Sequence, residues 1–290
     1  MRVRIASVQY HLRKVRDFEE FEDQVNYVLT AASEYKPHFV LLPELFTIQL
    51  MSFIDSTDAL KAINELSTYK EKYEELLKKY AVDYNYYLVG GTHPTKENNK
   101  IFNRAYLFTP EGKIFTQDKV HRTRWEKDPW EIEHGSELKV FKTAHCPISI
   151  LVCYDIEFPE VARIVADAGT EIIFVPSYTD DRQGYLRVKY CCQARSIENQ
   201  VYVVMTSTVG NLPVPNLRLH YGQANIFTPS DFPFSRDGIA AEGVINQEQI
   251  VIADLELDLL DENRIKGTTI PLLDKRQDVY SKVAIVENTV

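Results

Sequence analysis

Residues 148–169, ISILVCYDIEFPEVARIVADAG, carry two incompatible periodicities in direct succession, and that junction constrains the fold more than any other stretch. Residues 148–152 are an unbroken β-forming apolar run, the pattern of a strand covered on both faces. From about Glu157 onward, Phe158, Val161, Ile164 and Val165 recur at three- and four-residue intervals, predicting an amphipathic helix with one buried stripe and Pro159 in its first turn. Cys153 therefore falls where a strand ends and a helix is about to begin, a place where unpaired backbone N–H groups favour negative charge. A thiol there is drawn towards thiolate, its nucleophilic form. The same place also suits a cysteine packed as a small hydrophobe, so the rest of the chain has to decide between the two.

Strand and helix patterns alternate up to residue 207. Residues 2–9 read as a first strand, and Phe18, Phe21, Val25, Val28 and Leu29 mark a helix after Asp17. Residues 38–42, HFVLL, form a second strand closed by Pro43, with Glu44 at its C-terminal end. Residues 57–80 predict one long charged surface helix, residues 87–91 a third buried strand, and residues 101–117 a hairpin around Thr109, Pro110, Glu111 and Gly112. Residues 118–135, DKVHRTRWEKDPWEIEHG, are a polar and aromatic loop of little periodicity, the kind of segment where function concentrates. Strands follow at 138–141, 147–152, 171–176 and 201–207, a helix at 185–199, and shorter strands with turns at Pro229, Gly238 and Gly243 over 221–255. The simplest organisation is one α/β domain over residues 1–257 and a polar, proline-interrupted tail over 258–290.

Charge and motif content exclude several functions. A net charge of −9 without a basic run argues against nucleic acid or another phosphate-rich partner. Neither a G-x-G-x-x-G nor a P-loop pattern follows a strand, so no nucleotide cofactor is expected. The four cysteines, Cys146, Cys153, Cys191 and Cys192, have neither the spacing of a disulfide framework nor that of a zinc site, and no metal is expected. The N-terminus lacks signal-peptide features and no apolar stretch is long enough to span a membrane, which predicts a cytoplasmic protein.

Three chemistry-bearing residues stand at comparable places: Glu44 after a buried strand, Lys119 after the hairpin and Cys153 after a strand. In α/β folds the crevice beyond the strand ends is the usual ligand site, so a carboxylate, an amine and a thiol can converge there. Each also has a plain alternative as a turn cap, a solvated charge or a core residue. His121 invites a Cys-His dyad, but the papain-like C-G-x-C-W surroundings of the nucleophile are absent.

Together these segments resemble the nitrilase superfamily of carbon–nitrogen hydrolases: LLPELF at 41–46, DKVH at 118–121, CYDIEFPE at 153–160, VPSYT at 175–179 and ARSIENQVYVV at 194–204. The resemblance runs over roughly residues 3–255 and implies a four-layer α-β-β-α sandwich with a Glu44, Lys119 and Cys153 triad. It implies that Cys153 attacks an amide carbon, that Glu44 carries the proton, and that Lys119 with the Tyr154 backbone N–H holds the oxyanion. A second glutamate positioning substrate or water is assigned to Glu126, with Glu131 and Glu133 in the same loop as alternatives. Tyr178 and His220 are candidate substrate-lining residues. Glu157 stands where many members carry arginine, which disfavours an acidic substrate such as an ω-amido dicarboxylate; a solvated carboxylate at a helix N-terminus is the alternative for it. The expected substrate is a small linear amide, neutral or cationic, with Tyr154 and Asp155 after the cysteine favouring amide over nitrile. The expected partner is a second copy of the chain, with the helices at 157–168 and 185–199 in the interface and the tail 258–290 reaching across it. A catalytically silent scaffold and an acyltransferase of the same fold are the competing readings.

Overall fold

The alternating apolar residues of the N-terminal segment place strand β1 (Arg2–Leu12) at the centre of the molecule, with Val3, Ile5, Ala6, Val8 and Tyr10 buried. The computed structural model describes residues 1–282 except 56, 216 and 218. After β1 the Asp17 carboxylate accepts a hydrogen bond from the Glu20 amide and opens helix α1 (Phe18–Ser33). There follow β2 (Phe39–Leu41), α2 (Ala59–Ser67), α3 (Lys70–Asp83), β3 (Tyr87–Glu97), β4 (Lys100–Phe108), β5 (Ile114–Asp118), α4 (Arg124–Lys127) and β6 (Ile132–Glu133). The second half holds β7 (Phe141–Lys142), β8 (Pro147–Ile150), α5 (Pro159–Asp167), β9 (Ile172–Ser177), α6 (Arg182–Asn199) and β10 (Tyr202–Asn211). It closes with β11 (Leu219–His220), β12 (Asn225–Phe227), β13 (Ile239–Glu242), β14 (Gln249–Glu256), α7 (Leu257–Lys266) and α8 (Gln277–Tyr280).

Two half-sheets face each other. In the first, β1, β2 and β3 run parallel, β4 and β5 extend them antiparallel, and β14 pairs antiparallel with β1. In the second, β8, β9 and β10 run parallel, flanked by antiparallel β7, β12 and β13. The halves join where Tyr10, His11 and Leu12 pair with Thr208, Val209 and Gly210. Phe39 of β2 lies 5.5 Å from Phe174 of β9 across the interior, where inward residues of both halves merge into one apolar core. Helices α1, α2 and α3 cover the outer face of the first half and share a second core with it. Helices α5 and α6 cover the second. The result is the expected α-β-β-α order, and it sets the C-terminal ends of β2, β5 and β8 around one crevice.

Four expectations change. Residues 57–80 form two helices, not one, because the chain turns at Thr68 and Tyr69, whose ring stacks on Phe18 at 5.8 Å. They are not simply a surface: Tyr73, Leu76, Leu77 and Tyr80 are buried. The 118–135 loop contains the short helix α4, made by a capping box in which Thr123 and Glu126 satisfy each other's backbone amides. Ile164 is 55% exposed; α5 buries Val161, Ala162, Val165 and Ala166 instead, the two alanines having been left out of an apolar stripe counted on large side chains. The segment after 257 begins as helix α7, with Leu257, Leu260 and Asn263 buried against the chain's own body; residues 283–290 of that tail lie outside the described residues.

Candidate active site

Glu44, Lys119 and Cys153 converge. Each backbone is fixed where its strand ends. Leu45, immediately after Glu44, adopts a left-handed conformation (φ 50°), and its amide donates to Thr92 Oγ1 at 2.9 Å. The Lys119 amide donates to Asn103 O at 2.9 Å, and its carbonyl accepts from Gly135 N at 2.7 Å. Cys153 itself has φ 47°, a strained turn straight out of the second half-sheet, and its thiol donates to Tyr178 O at 3.5 Å.

The side chains form one buried polar cluster. Lys119 Nζ donates to Glu44 Oε1 at 2.7 Å and to Glu126 Oε2 at 2.8 Å, all three residues being at most 3% exposed. Asn103 Nδ2 bridges the same two carboxylates, at 2.8 Å to Glu44 Oε1 and 2.7 Å to Glu126 Oε1. Glu126 Oε2 also accepts from the Thr123 amide at 2.8 Å, the bond that closes the capping box. Of the three glutamates considered in the loop, only Glu126 joins the cluster: Glu133 lies 3.6 Å from Lys100, and Glu131 is exposed.

Electrostatics separate the members. Burial pushes Glu44 above the usual carboxylate range, and the Lys119 ammonium offsets only part of that. Burial also acts on Glu126, but Lys119, Asn103 and the Thr123 amide outweigh it and hold its carboxyl down. Burial would deprotonate Lys119; the charges of Glu126 and Glu44 prevail and keep it an ammonium. Burial and neighbouring Glu44 push the Cys153 thiol well up. Burial and Glu44 thus oppose the thiolate that the helix start was expected to favour, and Lys119 offsets them only in part.

A cavity of about 420 Å³ opens onto Cys153, Glu44, Lys119 and Glu126. Tyr154, Tyr178 and Glu157 also line it, as does Arg187, which the sequence reading missed. Glu157 ends the turn Cys153–Glu157 before α5 begins and is half-buried in the cavity lining, so it is not a fully solvated helix-start carboxylate. Its Oε1 lies 3.7 Å from Arg187 Nε, and burial raises its pKa, offset in part by that guanidinium. His220 does not line the cavity: its Nε2 donates to Leu217 O at 2.9 Å and its ring backs Tyr178 edge-on at 5.0 Å. Burial pushes it down to about 4, so it is neutral near pH 7. His121 turns away from the thiol, donating through Nδ1 to Asp155 Oδ1 at 2.9 Å and stacking on Phe158 at 3.7 Å. Among the described residues, no three His, Cys, Asp or Glu side chains are grouped to hold a metal ion, and no helix is long and apolar enough to cross a membrane.

Residues 4–264 match the profile of the family described as carbon-nitrogen hydrolase. The chain belongs to the carbon-nitrogen hydrolase family. This carbon-nitrogen hydrolase is 48% identical over 279 residues to "Probable hydrolase YhcX" of Bacillus subtilis, covering 96% of the chain and 54% of that protein, and so spans about half the length of that relative. It is 26% identical over 294 residues to omega-amidase NIT2 of Danio rerio, with 98% of each covered. The amidase from Nesterenkonia sp. AN1, solved as a double mutant with acrylamide, superposes with a TM-score of 0.75 at 21% identity over 96% of each chain, sharing the fold. In another mutant of that amidase the acetamide moiety of fluoroacetamide is covalently added at the active site cysteine.

Proposed function

We propose that this carbon-nitrogen hydrolase cleaves the C–N bond of a small linear amide through a thioester on Cys153, releasing ammonia or an amine. The observation that carries this reading is the split between two buried carboxyls around one ammonium, Glu44 pushed up and Glu126 held down. Carboxyls driven apart by their surroundings take different acid–base roles. Glu44 is the base. Glu126, with hydrogen bonds from Lys119, Asn103 and Thr123, is a fixed anion that orients Lys119 and faces the substrate cavity.

The steps follow from those roles. The Cys153 thiol gives its proton to Glu44 as sulfur bonds to the amide carbon and the carbonyl electron pair moves to oxygen. Lys119 Nζ and the Tyr154 N–H stabilise that oxyanion; removing one such donor costs about 100- to 1000-fold in rate. As the tetrahedral species collapses, the C–N bond breaks and Glu44 returns the proton to the leaving nitrogen. Water then attacks the thioester, giving one proton to Glu44; the C–S bond breaks, and the proton passes back to the Cys153 sulfur.

The cavity suits a small substrate. Glu157 in its lining favours a neutral or cationic amide, while similar proteins that include an omega-amidase and an amidase bound to acrylamide support amide chemistry as such. A second reading, an amide with a distal carboxylate, is favoured by Arg187, whose side chain is 64% exposed beside Glu157. The test is a panel of primary amides, N-carbamoyl amines, N-carbamoyl acids, ω-amido dicarboxylates and nitriles, followed by ammonia release. Turnover of neutral or cationic amides is expected. Turnover of nitriles alone contradicts the reaction class. A preference for dicarboxylates that disappears in Arg187→Gln establishes the second reading.

A further inference from the structure

Glu44 and Lys119 stand at strand ends of the first half-sheet and Cys153 at a strand end of the second. Their spacing therefore depends on how far apart the two half-sheets lie. The halves share one apolar core, whose packing is strong but not directional, and polar bonds from Lys139 to Thr116 O and Gln117 Oε1 tie the strand before Lys119 to the second half. One buried carboxylate crosses that gap. We propose that Asp155 is a positioning residue that locks the Cys153 turn to the segment carrying Lys119. This rests on the catalytic reading above.

Asp155 is 1% exposed and follows Cys153 by two residues. Its own amide donates to Val152 O at 3.0 Å, closing the turn in which Cys153 is held at positive φ. Its Oδ2 accepts from the Val152 amide at 3.2 Å, just before the nucleophile, and from the Val120 amide at 3.3 Å, just after the lysine. Its Oδ1 accepts from the His121 amide at 2.8 Å and from His121 Nδ1 at 2.9 Å. Four donors thus converge on one carboxylate, and three of them belong to the chain immediately beyond Lys119. His121 in turn stacks flat on Phe158, which orients the ring towards Asp155. Amides withdrawn from water have to be paired, and here the Val152 bond is buried and those of Val120 and His121 are part-buried.

The isosteric amide cannot reproduce this. In Asp155→Asn, one of the two positions carries an NH2 group that faces N–H donors, so either the Val152 and Val120 amides or the His121 amide loses its acceptor; His121 Nδ1 can change tautomer and accept from the NH2. The Lys119 segment and the thiol then separate. A misplacement near 1 Å costs on the order of 100-fold in rate, while cavity residues outside these two segments, such as Trp130, Tyr178 and Arg187, keep their places. The expected result is a fall in kcat of about 10- to 100-fold with KM within about 3-fold of wild type. As the Lys119 charge retreats, the pH midpoint for alkylation of Cys153 by iodoacetamide moves up, against the downward shift that loss of the Asp155 charge gives by itself. His121→Gln, which removes the ring contact and spares all three backbone bonds, stays within about 3-fold of wild-type kcat. Hydrogen exchange of the wild-type protein supplies a check that no variant can spoil: the Val120 and His121 amides exchange as slowly as those of β5.

A mere turn-closing role predicts otherwise: Asp155→Asn lowers the melting temperature while kcat is unchanged and the alkylation midpoint stays put or falls. That result, or fast exchange at Val120 and His121, overturns the proposal. The alkylation midpoint needs no substrate, so it reads the lock even where no amide turns over, an outcome that would refute the proposed reaction alone.

Discussion

A carboxylate that is to take a proton from a thiol must itself be empty, and burial raises the proton affinity of Glu44. kcat/KM therefore falls as pH drops through the raised Glu44 value, and the midpoint of the acid limb lies above the ordinary 4.5. Stability follows the opposite order at this site. Glu126, held below 4.5, contributes stability that is full above 4.5 and lost only as pH falls through its depressed value. Glu44, held above 4.5, works the other way, so the native state gains as pH falls through its raised value. Acid inactivation is thus expected before acid unfolding. A pH–rate profile set beside circular dichroism over the same range checks this, and coincident midpoints would contradict it.

At the scale of elements, the loop that presents Glu44 depends on a glycine in another strand. A Cβ on Gly91, at φ 69°, would lie 2.0 Å from Pro43 O, so the backbone before Glu44 would have to move. Gly169, at φ 96°, has nothing within 4 Å of such a Cβ. Gly169→Ala is expected to cost about 1–2 kcal/mol through its positive φ alone, with kcat unchanged. Gly91→Ala costs more than that and lowers kcat by about 10-fold or more; equal effects of the two on melting temperature and kcat would contradict the claim. The strands that carry the site were legible because apolar runs end abruptly at Glu44 and Cys153 and a hairpin marked by its turn residues ends just before Lys119. Two further members left signals that went unread. Asn103 is the polar position in the buried alternation Ile101, Asn103, Ala105 and Leu107, and Thr123 with Glu126 is a capping-box spacing. Arg187 left none, since it meets Glu157 from a helix 30 residues on and only the packing of α6 brings them together. The break at Thr68 and Tyr69 was equally hidden: no glycine or proline marks it, and a ring stacked on Phe18 from α1 accompanies the turn.

For the whole molecule, helices α5 and α6 leave Ile164, Tyr190 and Ile197 at 55%, 59% and 40% exposure on the outside of the second half-sheet. We propose that they pack against their counterparts in a second copy, a self-complementary pairing about a two-fold axis. Helix α7 stays on its own body, so the helices and not this part of the tail carry the contact. Sedimentation at micromolar concentration is expected to give twice the 33.5 kDa chain mass, and Ile164→Glu combined with Tyr190→Glu to give the monomer. A 33.5 kDa species for the unmodified chain would reject the dimer. The proposed reaction has its own whole-molecule signature, a covalent acyl group carried by the protein during turnover. Acid-quenching the enzyme with an amide substrate in excess, then measuring intact mass and mapping the modified peptide, tests it most directly. The prediction is a mass gain equal to the acyl portion, located on Cys153 and absent with Cys153→Ala, which is folded but inactive. An adduct on Cys191 or Cys192, or full turnover by Cys153→Ala, would contradict it.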